Sequence, residues 1–240
     1  MTTTPKHEPH PYPPKPPPHT QVVACKVFQP EITYLGIPPS RVTYLDQGLH
    51  RTPGQLRRQL GHTLARLEQT RAPRRVVLVY GYCGGGLERL CTARAELVVP
   101  LVHDCIPLLL GRERPPAWGE GATFYLSPGW IDHGRTPLSE YHHTARRWGE
   151  EEARWVASRI MKGYRRVALI ETLPLRGEGH WRYTCEMAAL HGLTPVRVSG
   201  GLGWLRRLLT ARAGRGVVVL PPGRRIEAGL YRGAPGAAVL

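Results

Sequence analysis

Short apolar runs alternate along this chain with longer stretches in which apolar residues recur every three to four positions. Val22-Val-Ala-Cys25-Lys-Val-Phe28, Arg41-Val-Thr-Tyr-Leu45, Arg75-Val-Val-Leu-Val-Tyr80 and Leu97-Val-Val-Pro-Leu-Val102 read as strands. The continuous apolar character of the last two suits strands covered on both faces. Between them, Leu56, Leu60, Leu64 and Leu67 mark one face of a helix, with Thr52 placed as its cap and Pro53 at its first position. A short helix is expected from Pro30 to Leu35, a second from Leu87 to Leu90, and a third from Ile106, closed by Gly111.

The second half repeats the pattern. Ala122–Leu126, Arg166–Ile170, Pro195–Val198 and Gly216–Leu220 read as strands. A long helical segment from Ser139 to Tyr164, interruptible at Gly149, and helices His180–His191 and Leu202–Ala211 lie between them. Strand and helix in alternation predict an α/β fold of two Rossmann-like lobes, with doubly wound, mostly parallel sheets over residues 21–134 and 135–240. Residues 1–20, crowded with proline and carrying His7, His10 and His19, are expected to form a disordered tail.

Composition narrows the setting. A chain of 240 residues can bury a large core. No apolar run reaches the roughly 18 residues that a membrane span requires, and the opening Met1-Thr-Thr-Thr-Pro-Lys lacks the apolar core of a secretory signal. A soluble, cytoplasmic protein with no membrane partner is expected. The net charge of +15 is carried by scattered arginine pairs, such as Arg74-Arg75 and Arg165-Arg166, which read as a solvated surface. No aromatic-interleaved basic stripe is present, so nucleic acid is not the expected partner. Five cysteines without a Cys-x-x-Cys pair exclude a disulfide framework and a zinc ribbon.

Candidate chemistry gathers where apolar runs end. Ligands of open α/β sheets collect at the carboxyl ends of the strands. Cys25, Cys83 and Cys105 sit at three such ends, with His103 beside the last. These three thiols could hold a metal ion or a four-iron, four-sulfur (4Fe-4S) cluster with one open position, a ligand layout analogous to that of quinolinate synthase. With His103 or His50 added they suit a Cys3His zinc site or a soft contact to a corrinoid. If the extended chain persists, His103 and Cys105 point the same way. Cys83 and Cys105 both precede expected helices, whose N-termini favour thiolate. Asp104 can orient His103 or act as a catalytic base. Gly81, Gly84 and Gly86 let the backbone approach a bulky cofactor, and Trp130 after Pro128-Gly129 can close over it. Cys91, placed in mid-helix, and Cys185 read as structural residues, and His142-His143 as a solvated pair.

Taken together, Ala24-Cys25, Leu45-Asp-Gln-Gly-Leu-His50, Tyr80-Gly81-x-Cys83-Gly84-x-Gly86, Val99-Pro with His103-Asp104-Cys105-Ile106 and Leu110-Gly111, Tyr125-x-x-Pro128-Gly129-Trp130 and Val219-x-Pro221-Pro222-Gly223 resemble a bacterial and archaeal domain-of-unknown-function family. Its members are often encoded beside corrinoid-dependent methyltransferases. The resemblance covers residues 22 to 228 and departs from the pattern at Gly85, at Pro107 and in the tail. It implies a setting in corrinoid and one-carbon metabolism, with a corrinoid protein or methyltransferase as partner, and no established reaction. Two functions follow as expectations. The first is a metal- or iron–sulfur-binding protein of methyl-transfer metabolism. The second is a non-redox module holding an anionic small molecule in the cleft through glycine-turn amides and Arg112, Arg114 and Arg224.

Overall fold

The computed structural model describes residues 16–111, 122–172 and 177–234. Most of the expected tail, and Arg112 and Arg114, lie outside the described residues; Thr20 already belongs to the first strand. In chain order the elements are β1 (Thr20–Cys25), α1 (Gln29–Tyr34), β2 (Val42–Leu45), α2 (Pro53–Thr70), β3 (Arg75–Val79), β4 (Glu96–Pro100), α3 (Ile106–Leu110) and β5 (Ala122–Leu126). They continue with α4 (Pro128–His133), α5 (Pro137–Trp148), α6 (Glu150–Ile160), β6 (Tyr164–Glu171), α7 (Glu178–His191), β7 (Thr194–Ser199), α8 (Gly203–Leu209) and β8 (Val217–Leu220). The fold is α/β with two sheets, as the alternation predicts.

One sheet has the order β2-β1-β3-β4-β8, its first four strands parallel and β8 antiparallel to β4. The other is the parallel set β5-β6-β7. Sheet membership crosses the boundary expected near residue 134. β5 precedes it yet pairs with β6, and β8 returns from the far end of the chain to pair with β4. Pairing depends on which edge a strand can reach in space, which alternation along the chain does not encode. In the first sheet the chain leaves β1 toward β2 and comes back past β1 to β3, so the order reverses between β1 and β3. A ligand crevice forms at the carboxyl ends of strands at such a reversal.

Burial explains the central strands. Val76–Val79 and Leu97–Val99 are wholly inaccessible. Because successive side chains point to opposite faces, both faces of the sheet are covered. The α2 leucines at 56, 60, 64 and 67 lie in this core with Trp204, Leu205, Leu208 and Leu209 of α8. Each fully buried leucine contributes on the order of 2 kcal/mol. Tyr125, Ala168, Ile170 and Val198 of the second sheet belong to the same apolar cluster, so the two sheets share a core, while Leu126, Val167 and Leu169 pack in a separate cluster with Leu138, Met161 and Met187.

Four local expectations are corrected. The chain leaves β1 at Cys25 into a 3-10 turn, Lys26–Phe28, where the apolar run predicts extended residues. Pro53 occupies the first turn of α2, but the Thr52 side chain makes no capping bond. No helix forms over Leu87–Leu90; four residues cannot offset the cost of helix nucleation, and Arg89 takes a left-handed φ of 64°. Cys91 therefore lies in a loop, not in mid-helix. Ser127-Pro-Gly-Trp130 opens α4, with Ser127 Oγ accepting the Trp130 amide at 3.2 Å. The interruption at Gly149 occurs as expected, at φ 91°, and separates α5 from α6.

A buried acid stands where the two sheets meet. Glu31 of α1 is fully inaccessible and accepts the Thr172 hydroxyl, just beyond β6, at 3.1 Å. Its other carboxylate oxygen has no hydrogen-bond partner. Burial pushes its pKa up to about 7, from an ordinary value of 4.5. A raised folded-state value means that the contribution to stability is complete below pH 4.5 and is lost as pH rises through about 7. We expect Glu31→Gln to be the more stable protein at pH 8, by up to about 3 kcal/mol, with the difference vanishing near pH 4.5. Denaturant unfolding across that range checks it; a constant difference would show that Glu31 does not titrate there.

Candidate functional site

At the carboxyl ends of β1, β3 and β4 the structure opens a cavity of about 1070 Å³, walled on its far side by residues of the second sheet and its helices. Cys25, Cys83, Cys105, His103 and Asp104 all line it, as do His50, Trp130 and Gly84. Gly81 and Gly86 lie behind the surface and act through the backbone.

The floor is made by two loops locked together. Beyond the end of β3, the amides of Tyr82 and Cys83 donate to the carbonyls of Val102 and His103, at 2.8 and 2.9 Å. A Cβ on Gly81 would stand 2.5 Å from the Asp104 backbone, so only glycine permits this approach. Cys83 itself adopts a left-handed φ of 49°, followed by Gly84 at 62°. A non-glycine residue in this region costs on the order of 1 kcal/mol and persists where the surroundings hold it. Arg57 of α2 is one such support, donating to the Gly85 carbonyl at 2.8 Å.

This arrangement sets the Cys83 thiol against the Cys105 side chain, and that neighbour, with burial next, pushes the Cys83 pKa well above the ordinary thiol range. Burial raises the Cys25 pKa as well, reinforced by the neighbouring Cys105. The expected helix-terminal stabilisation of the Cys83 thiolate is thus overturned, because the helix is absent and the sulfur is dehydrated. Below them, the Tyr80 hydroxyl is buried without a hydrogen-bond partner. Burial raises its pKa, and charge on Cys25, Cys105, Cys83 or Asp46 would raise it further.

The other expected residues have more particular duties. The strand stops at Pro100, so the extended alignment of His103 with Cys105 does not form. His103 is exposed, with its ring 6.5 Å from that of Tyr231. Asp104 accepts the Ile106 amide at 2.8 Å and so starts α3, and Gly111 ends that helix at φ 68°. His50 packs edge-on against Trp130, with ring centres 5.9 Å apart, and burial lowers its pKa. Trp130 also lies 5.6 Å from the Phe124 ring and donates its indole N–H to the Arg135 carbonyl at 3.3 Å. The close seat of α4 comes from Gly129, whose Cβ would meet the Val27 carbonyl at 1.9 Å.

The glycine turn is not a free anion cradle. The Tyr82, Cys83, Gly85 and Gly86 amides all donate to protein carbonyls. Arg224 pairs with Glu227 at 3.4 Å and does not line the cavity. Arg51 at the rim is engaged by Glu140 at 3.0 Å. Among the described residues, no group of three His, Cys, Asp or Glu side chains is arranged around an ion. Sequence reasoning passed over Tyr80, Tyr82 and Glu140. The two tyrosines flank the Gly81 turn and carried a signal by position, whereas Glu140 joins the rim only through the packing of α5.

Gly81→Ala is expected to lower stability by about 2 kcal/mol, an apparent Tm loss on the order of 6 °C. Gly229→Ala, which meets nothing within 4 Å, should leave Tm unchanged. Thermal melts compare the two, and equal melting would disprove the tight apposition of the two loops.

No curated protein and no solved structure matches the chain. A family model described as protein of unknown function, DUF1638, matches residues 44–209, which span β2 through α8 and hold every cavity-lining cysteine except Cys25. The chain belongs to that family.

Proposed function

We propose that the chain binds a soft metal ion or an iron–sulfur cluster through Cys25, Cys83 and Cys105, in a pocket that also admits a small-molecule ligand. The observation that carries this reading is the arrival of three thiols from three adjacent strand ends on one cavity, which the buried Tyr80 also lines. Thiolates are the donors that soft metals and iron–sulfur groups select, so the chemistry of the set fits. Burial keeps Cys25 and Cys83 protonated, and the three side chains do not converge on a common point. Loading therefore releases protons and moves sulfurs inward, and affinity rises with pH.

When bound, such a group supplies an electrophilic coordination position. The chain's own residues do the rest. The Trp130 and Phe124 rings form a wall that excludes water, His50 stays neutral against Trp130, and Asp104 holds the α3 end of the floor in place. The volume far exceeds the needs of an ion and suits a cofactor-sized or drug-sized partner. A role in corrinoid and one-carbon metabolism, beside a methyltransferase or corrinoid protein, is supported by the motif resemblance. The anion-binding alternative draws less support from the described residues, where four amides of the glycine turn and Arg224 are engaged elsewhere.

Protein purified without oxygen should carry metal, with sulfide and a broad visible absorption if the group is a cluster. Cys83→Ala and Cys105→Ala are expected to lower metal content at least about tenfold, while Cys91→Ala retains it. Equal content in the three variants, or no metal in the parent chain after loading at high pH, would sink the reading.

A further inference from the structure

We propose that Cys83 and Cys105 form a reversible disulfide, making the cavity floor a dithiol site that undergoes exchange with low-molecular-weight disulfides. This stands independently of any metal, because it rests on two sulfurs and their access.

Three observations point to this pair among the five free cysteines. Cys83 and Cys105 line the same cavity floor, and the Cys105 side chain is the neighbour that acts most strongly on the Cys83 thiol. Their backbones are fixed in that relation by the Tyr82–Val102 and Cys83–His103 hydrogen bonds and by the Gly81 approach to Asp104. Both are partly exposed to a cavity large enough for a tripeptide disulfide to enter, whereas Cys25 is buried at 5% exposure. Cys91 and Cys185 are also partly exposed, but neither lines the cavity.

The chemistry balances in two steps. One cysteine, as thiolate, attacks a sulfur of the small disulfide, forming a mixed disulfide and releasing one small thiol. The second cysteine attacks the protein sulfur of that mixed disulfide, forming the Cys83–Cys105 bond and expelling the second small thiol. The protein dithiol loses two electrons and two protons, and the small disulfide gains them. Joining the sulfurs requires them to close to the ~2.05 Å bond length, a shift that side-chain rotation and the left-handed turn at Cys83 can supply. The closed form removes two of the three thiols from the pocket floor, so oxidation and metal loading exclude one another.

The full chain, treated with a chelator, is incubated with oxidised glutathione and mapped by non-reducing peptide mass spectrometry. We expect loss of two of the five free thiols, a peptide linking Cys83 to Cys105, and full recovery with dithiothreitol. Cys83→Ser should leave a lasting glutathione adduct on Cys105, and Cys105→Ser one on Cys83. Absence of the crosslink, persistent adducts on either residue of the parent chain, or reaction of Cys91 and Cys185 at the same rate would each overturn the proposal. The decisive mapping uses the parent chain, so it does not depend on either variant folding. Metal analysis of the same preparation before chelation reports separately on the metal reading.

Discussion

The contact on which the cavity depends is the apposition of Gly81 to the backbone of Asp104. Strands β3 and β4 pair only over Arg75–Val77 and Glu96–Val98, and beyond that the chain must stay joined without regular ladder bonds. Two further backbone hydrogen bonds, each with a net value of about 1 kcal/mol, carry the pairing into the loops. They hold Cys83 in a left-handed conformation that its side chain disfavours. The strain and its support lie within a few residues, which is the usual pattern where backbone geometry serves a site. With the loops joined, the Cys83 and Cys105 sulfurs, the start of α3 and the Tyr80 hydroxyl all follow.

The second sheet turns this floor into a pocket. Gly129 lets α4 settle on the Val27 carbonyl just after β1, which carries Trp130 over the strand ends. Glu31 and Thr172 join α1 to the end of β6 through a dehydrated hydrogen bond, so the junction of the sheets includes a titratable group. Asp132 of the same short α4 also meets His180 of α7 at 3.0 Å. The wall opposite the thiols is thus anchored to both sheets at once. A shared apolar core makes that anchoring stiff.

Charge is distributed away from the thiols. The arginines that give the chain its excess of +15 are mostly spent at the surface. Arg197 pairs with Glu171 and Glu178, at 2.8 and 3.0 Å, and stacks over the Trp181 ring. Arg147 and Arg159 lie over Trp148 and Trp155, two of the exposed large apolar side chains. Among the described residues, no helix is long and apolar enough to cross a membrane. The Cys25 and Cys83 thiols are instead held in their neutral form, Cys25 chiefly by burial and Cys83 by its Cys105 neighbour and then burial.

The sequence by itself determined the α/β class, nearly all the strands, the leucine face of α2, the break at Gly149 and the gathering of chemistry at strand ends. Those features follow from local periodicity and from turn residues whose conformational limits act over a few positions. It also marked Cys25, Cys83 and Cys105, because the carboxyl end of a parallel strand is a defined place in any such sheet. Only the tertiary structure decided that β8 joins β4 while β5 joins β6, since pairing partners are chosen by edges that meet in space. It likewise decided that Cys83 and Cys105 reach one cavity floor, that Leu87–Leu90 is no helix, and that Glu140 belongs to the cavity. Each of those outcomes depends on a backbone approach or a burial set by residues tens of positions away, which no local pattern of polar and apolar residues records.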